Sequence, residues 1–191
     1  MFPAAQSKLE DARALLGQLE LAKDAATFRS LFNSFLSAAR AITGALQKDG
    51  AKLPAFTEWY RKKQGEMKAD ELLRFIHEAR VEDFHEGRHR LSFSTYIGYL
   101  SSEEVGPPPT PGASLVIGPD GPFWLVDEGT ARERRIPVGG GSFITRIAIA
   151  NPPTTHMGKR LQRTDPLSIL TAALTYFENL VHEAKSGFAT S

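Results

Sequence analysis

The residues best suited to chemistry are concentrated in one charged segment, residues 72–91. Three of the five histidines of the chain lie there, and four residues separate Arg80 from His85. A histidine that titrates near neutral pH can take or return the proton of an RNA 2′-hydroxyl. A guanidinium can bind the scissile phosphate through two hydrogen bonds. The pair is therefore chemically able to cleave RNA without a metal or other cofactor, with His85 as acid and base and Arg80 on the phosphate.

Neighbouring residues are expected to support this pair, either by orienting the imidazole or by adding positive charge for a substrate. In a regular helix, positions five apart diverge by about 140°. Arg80 and His85 therefore reach one phosphate only if the helix ends or bends near Gly87, or if a second subunit completes the site. The supporting or substrate-binding candidates are Glu82, Glu86, Arg88 and His89.

The same segment also contains the pattern H-E-x-x-H, with His85 and His89 at its ends. Two histidines four apart share one face of a helix and can bind zinc, with the intervening glutamate as base for water. Gly87 weakens the helix that must hold these ligands, and Arg88 adds positive charge beside a dication. A zinc hydrolase is therefore kept as an alternative, with His85 and His89 as its metal ligands.

Arg-x4-His within ARVEDFHEG resembles the signature of the HEPN superfamily, and FLSAARAITGALQK and FTEWYRKKQGEMKADELLRFIHEAR are similar to bacterial HEPN-like proteins. The resemblance covers roughly residues 28–88 and implies a helical bundle, RNA as substrate and a toxin-like role. It also implies a homodimer with two Arg/His pairs at a shared cleft. Many members carry a polar residue, often Asn, where this chain has Val81. That difference leaves a catalytically inactive HEPN-like module that binds protein or nucleic acid as a second interpretation.

Composition restricts the class of protein. The 191 residues carry a formal net charge of +1 and no cysteine. The charge argues against a polycation that coats nucleic acid, and the missing cysteines exclude disulfides and Cys-type zinc sites. No apolar run is long enough to span a bilayer, and the first residues lack the features of a secretion signal. We therefore expect a cytoplasmic protein that does not act at a membrane.

Helical patterns dominate residues 1–105. Ser7 and Glu10 form a capping-box pattern at a predicted helix start, and Asp70 is a predicted N-cap for a later helix. Asp165 and Pro166 predict the start of a C-terminal helix over residues 164–186. A wide apolar stripe marks the strongest helix, with Phe28, Leu31, Phe32, Phe35, Leu36, Ala39 and Ile42.

In the middle of the chain, the helical pattern gives way to a proline-rich connector and predicted strands. Residues 106–112 are a proline-rich connector, and residues 113–150 predict two β-hairpins, SLVI with PFWLV and then RERRIPV with SFITRIAIA. Residues 151–163 predict a loop. The expected fold is mainly α: a single HEPN-like domain over residues 1–191, a bundle of about five helices with a small antiparallel β-hairpin region inserted before the C-terminal helix.

Overall fold

A computed structural model of the protein describes residues 2–86, 90–118, 121–139 and 142–188. Six helices and several short β-sheets form in this part of the chain, which confirms the mainly α prediction. The chain divides into two compact units. The helical unit comprises residues 1–91 and 149–191, and the strand unit comprises residues 92–148. Within the described residues, none of the helices has both the length and the apolar composition needed to cross a bilayer.

Five of the six described helices are long, and one is a single turn. The first helix, α1, begins at Pro3, four residues before Ser7, so the predicted capping box lies inside the helix and the predicted start is wrong. Pro3 occupies the first turn, where a missing backbone N–H costs no hydrogen bond. The helices are α1 Pro3–Leu21, α2 Ala25–Gly50, α3 Phe56–Ala69, α4 Glu71–Glu86, α5 Ser102–Val105 and α6 Pro166–Phe188.

Aspartate side chains cap three of these helices. Asp24 Oδ1 accepts a hydrogen bond from Thr27 N at 2.7 Å, at the start of α2. Asp70 Oδ1 accepts from Leu73 N at 2.9 Å, and Asp165 Oδ1 accepts from Ser168 N at 3.1 Å. Each carboxylate satisfies an amide that the helix itself leaves without a partner. The caps predicted at Asp70 and Asp165 are confirmed.

The core of the helical unit is formed by the apolar stripes of its helices. The stripe predicted on α2 is largely buried, and the inward faces of α1, α4 and α6 pack against it. Burial of these stripes from water is the main favourable term in assembling the unit. Side chains with at most 1% exposure include Phe32, Phe35, Leu36, Ile42, Leu72 and Leu170.

Phe56 is the centre of an aromatic cluster that attaches α3 to the rest of the helical unit. Its ring stacks on Tyr60 at 5.7 Å and lies 5.7 Å from the ring of Phe2. Trp59 and Phe188 each lie 5.4 Å from the same ring. Phe56 itself is only 1% exposed. The cluster therefore joins α3 to the residue before α1 and to the last turn of α6.

The strand pairing differs from the prediction. β2 (Ser114–Gly118) and β3 (Gly121–Val126) form the predicted hairpin, but β4 (Arg134–Pro137) pairs with β3 and not with β5 (Ser142–Ile149). β5 instead pairs with β1, which occupies residues that the sequence assigned to the helical part. Both assignments are wrong because alternation identifies a strand but not its neighbour. The strands are β1 Leu91–Tyr99, β2 Ser114–Gly118, β3 Gly121–Val126, β4 Arg134–Pro137, β5 Ser142–Ile149, β6 Thr155–His156 and β7 Lys159–Arg160.

The small hairpin of β6 and β7 lies within the predicted loop and is attached to the start of α4. Glu71 Oε2 accepts from Thr155 N at 2.9 Å and from the Thr155 hydroxyl at 2.6 Å, and the Thr154 hydroxyl adds a contact at 3.2 Å. Asp70 Oδ2 accepts from Met157 N at 2.6 Å. Two adjacent carboxylates at the start of α4, Asp70 of the N-cap and Glu71 of the first turn, thus bind a segment more than eighty residues away in sequence.

Candidate functional site

The predicted catalytic segment lies only partly within the described residues. Arg80 is half-buried on α4. The backbone of α4 extends to Glu86, so Glu82 and His85 also occupy helical positions. The side chains of residues 82–89, and therefore those of His85, Glu86, Arg88 and His89, lie outside the described part of the structure.

α4 runs without a break past both predicted catalytic positions. Positions 80 and 85 are therefore rotated by about 140° around its axis. Both side chains reach one phosphate only under one of the two conditions stated above, a helix end or bend near Gly87 or a second subunit that completes the site. RNA cleavage by Arg80 and His85 stays a prediction.

The alternative zinc ligands, His85 and His89, also fall on side chains that are not described. Among the side chains that the structure does describe, no group of three or more His, Asp or Glu residues is arranged to hold a metal ion. The zinc hydrolase interpretation thus stays a prediction as well.

The helical unit contains a pocket of about 240 Å³ that the sequence analysis did not identify. Its walls come from α2, α3, α4 and α6, so residues far apart in the sequence meet there. Most of its inner surface is apolar. We call this apolar part of the lining the floor of the pocket. It is formed mainly by six residues: Ala39, Tyr60, Met67, Leu73, Ile76 and Phe177.

The floor follows from the helical periodicity of the contributing segments. Leu73 and Ile76 lie three apart on α4, and Tyr60 and Met67 lie seven apart on α3, so each pair lies on one face of its helix. The Tyr60 hydroxyl donates to the backbone oxygen of Thr43 at 2.9 Å. Burial raises the pKa of Tyr60 above its usual value, which keeps the phenol neutral. The floor is therefore uncharged at neutral pH.

The rim of the pocket has a different composition. Arg40 of α2, Lys68 of α3, and Arg74 and His77 of α4 also line it, and none of its lining residues is acidic. Arg74 Nε lies 3.9 Å from Glu78 Oε1, but both side chains are about half exposed. An exposed pair at this distance contributes little, so Arg74 can turn towards a bound anion.

An apolar floor beneath a cationic rim is suited to a ligand with an apolar body and one negative charge. The burial of the body supplies affinity, and the rim selects the sign of the charge. Among these four rim residues, only His77 and Arg74 lie in the charged segment, residues 72–91, that the sequence marked as a candidate for function. Nothing in the sequence marks Arg40 or Lys68 as a pocket residue, because each resembles an ordinary solvated residue of a helix. Their shared position at the rim follows only from the packing of α2, α3 and α4.

Comparison with known families matches residues 3–115 to the family described as bacteriophage lambda protein ea47. The match covers more than half of the 191 residues. A search of curated proteins and a search of solved structures each return no match. The range that carried the HEPN resemblance, residues 28–88, lies wholly within the matched range, so the HEPN assignment is wrong. An arginine and a histidine five positions apart arise readily on any charged helix, which explains the false resemblance.

Proposed function

This chain belongs to the family of bacteriophage lambda protein ea47, and we propose that it binds a small aromatic carboxylate in the pocket between α2, α3, α4 and α6. One observation carries the proposal. All ionisable side chains at the rim of that pocket are basic, and they surround an apolar floor. A carboxylate at the rim gains charge-assisted hydrogen bonds, while its ring is removed from water.

The size and lining of the pocket favour an aromatic body. A cavity of roughly 150 Å³ is sufficient for benzene, so about 240 Å³ accommodates a larger ring system. Tyr60 and Phe177 offer aromatic side chains to that ring, and both are only 4% exposed. Aromatic pairs gain about 1 kcal/mol beyond the burial of their area. A bicyclic ring that bears one carboxylate satisfies both the volume and the charge.

The first test compares ligands that differ only in charge. We expect 2-naphthoate to bind with a Kd on the order of 100 µM, which is ordinary for a ligand of this size. Neutral 2-naphthalenemethanol should bind about tenfold more weakly, because it leaves the basic rim without a counter-charge. Isothermal titration calorimetry measures both, and the difference should shrink in high salt. Equal affinity for the two ligands is the result that contradicts the proposal.

Two lysines of α3 provide a matched pair of variants. Lys68 lines the pocket, whereas Lys62 is an exposed lysine of the same helix outside the lining. We expect Lys68→Gln to weaken 2-naphthoate binding about fivefold, roughly 1 kcal/mol, and to leave 2-naphthalenemethanol unchanged. Lys62→Gln should leave both affinities unchanged. Equal losses in the two variants are evidence for a diffuse charge effect and against a site at this rim.

RNA cleavage by Arg80 and His85 is the second proposal. It rests on the chemistry of the two side chains, whose positions both lie within the last two turns of α4. A symmetric pair of such helices can complete a site across a homodimer interface. In EDTA, wild-type protein should cut RNA and His85→Ala should not, since a histidine that transfers the proton contributes about a hundredfold or more. If the His85→Ala variant still cuts RNA at the wild-type rate, His85 does not take part in the reaction.

A further inference from the structure

A second cleft of the helical unit lies beside a different face of α3 and contains a histidine held by a carboxylate. The cleft has a volume of about 400 Å³ and is bordered by α3, α6 and the small hairpin of β6 and β7. His156 of that hairpin lines it. Its side chain is 17% exposed, so the imidazole is largely enclosed but still reaches the cleft.

Asp70 fixes the orientation of this imidazole. His156 Nδ1 lies 3.0 Å from Asp70 Oδ1. The carboxylate is itself held by Leu73 N at 2.9 Å and Met157 N at 2.6 Å. Burial alone would raise the pKa of Asp70, but these hydrogen bonds outweigh it and hold the pKa below its usual value. An ionised Asp70 therefore accepts the Nδ1 proton of His156, which leaves the lone pair of Nε2 as the basic site.

Tyr176 limits the movement of the ring. Its ring meets the imidazole edge to face, with centroids 5.8 Å apart. Its hydroxyl oxygen is buried and has no hydrogen-bond partner among the described residues. A histidine confined by a carboxylate on one side and an aromatic ring on another is arranged as general bases are in hydrolytic sites.

We propose that His156 is the general base of a hydrolytic site for uncharged carboxylic esters, with Asp70 as its positioning residue. Nε2 removes a proton from water while the water oxygen bonds to the ester carbonyl carbon. The tetrahedral intermediate then breaks its bond to the alcohol oxygen, which takes the proton back from Nε2. Water and ester become acid and alcohol, and His156 returns to its starting form. This site is separate from the carboxylate pocket and does not depend on it.

The charges of the cleft argue for an uncharged substrate. Lys63 lies in the cleft, and its Nζ contacts Glu183 at 2.9 Å and Glu66 at 3.2 Å. The ammonium is thus already matched by two carboxylates, and the three groups together are net negative. A substrate with its own negative charge is repelled from this cleft. Phosphodiesters and acidic esters are therefore disfavoured relative to neutral ones.

The test measures hydrolysis of p-nitrophenyl acetate by the whole 191-residue chain. We expect His156→Gln to lower kcat/KM about a hundredfold, the usual contribution of a general base. His182→Gln, at an exposed histidine of α6 outside the cleft, should leave the rate unchanged. A p-nitrophenyl ester that carries a carboxylate should react more slowly than the acetate. Equal rates for wild type and His156→Gln overturn the proposal, as does a wild-type rate no higher than that of free imidazole.

Glu71→Gln separates catalysis from anchoring of the hairpin, because Glu71 binds the same hairpin through Thr154 and Thr155. If both Glu71→Gln and His156→Gln lower the rate equally, His156 only anchors the hairpin and the proposal fails. Should His156→Gln not fold, Asp70→Asn provides the test, since asparagine is also a good N-cap. In Asp70→Asn, kcat should fall about tenfold while KM stays unchanged. If kcat is unchanged, Asp70 does not position His156.

Discussion

Asp70→Ala is expected to lower the free energy of unfolding by about 3 kcal/mol. The variant leaves two amides, Leu73 N and Met157 N, without their shared acceptor. Loss of the N-cap bond to Leu73 N typically costs about 1 kcal/mol, and loss of the part-buried bonds to Met157 N and His156 adds roughly 1–3 kcal/mol. For a chain of this length, the melting temperature should fall by about 10 °C. Urea denaturation followed by circular dichroism measures the change.

Asp24→Ala is the matched control for this loss. Asp24 is also the N-cap of a helix, but its side chain binds within the first turn, with two hydrogen bonds to Thr27, three residues away. Asp70 adds contacts to a hairpin more than eighty residues distant. The loss in Asp24→Ala should therefore be clearly smaller. Equal losses indicate that capping alone accounts for Asp70, and that its contacts with the hairpin contribute nothing.

The contribution of Asp70 should also depend on pH. Its hydrogen bonds hold its pKa in the folded protein below the value of about 3.9 expected for the unfolded chain. The stabilisation is then fully present above pH 4 and is lost as the pH falls through the folded pKa. The difference in stability between wild type and Asp70→Ala should shrink below pH 4. A difference that stays constant down to pH 2 contradicts the assigned hydrogen bonds.

Gly50→Ala is the second change with a large expected effect, a loss of about 2–3 kcal/mol. Gly50 is buried at the end of α2, and an added Cβ would overlap the ring of Phe56. That ring cannot retreat easily, because Trp59 and Phe188 each lie 5.4 Å from it. Overpacking of a filled core costs roughly 1–3 kcal/mol, since rings must leave their preferred positions. Chemical denaturation gives the loss, and near-ultraviolet circular dichroism reports on the aromatic cluster.

Gly44→Ala, in the same helix, should change the free energy of unfolding in the opposite direction. An added Cβ at Gly44 has no neighbour within 4 Å. Alanine in a helix interior is favoured over glycine by roughly 0.5–1 kcal/mol, because the unfolded chain loses less freedom. We therefore expect Gly44→Ala to stabilise the protein by about that amount. If the two variants change stability in the same direction, Phe56 does not occupy the position described.

Much of the secondary structure could be predicted because its signals are local. The apolar stripe of α2 repeats at the helical period, and the caps at Asp70 and Asp165 precede their helices directly. The start of α1 shows the limit of such signals. Ser7 and Glu10 satisfy a capping pattern, but Pro3 four residues earlier already allows the helix to begin.

Strand partners and the candidate sites could not be predicted in the same way. Alternation in β5 indicates a strand, yet its pairing with β1 joins segments about fifty residues apart. The carboxylate pocket needs Arg40 and Lys68 on two different helices, and the hydrolytic site needs Asp70 beside His156. None of these neighbours is encoded by spacing along the chain.

The amino-acid sequence by itself determined the long helices and their inward faces, the aspartate caps and the hairpin of β2 and β3. Each depends on residues within a few positions of one another, so local periodicity and capping chemistry suffice. The packing of α2, α3, α4 and α6 decided which basic residues surround an apolar pocket. The docking of the small hairpin decided that a loop histidine meets the carboxylate of a helix cap. Both outcomes depend on contacts between distant segments, which only the folded chain establishes.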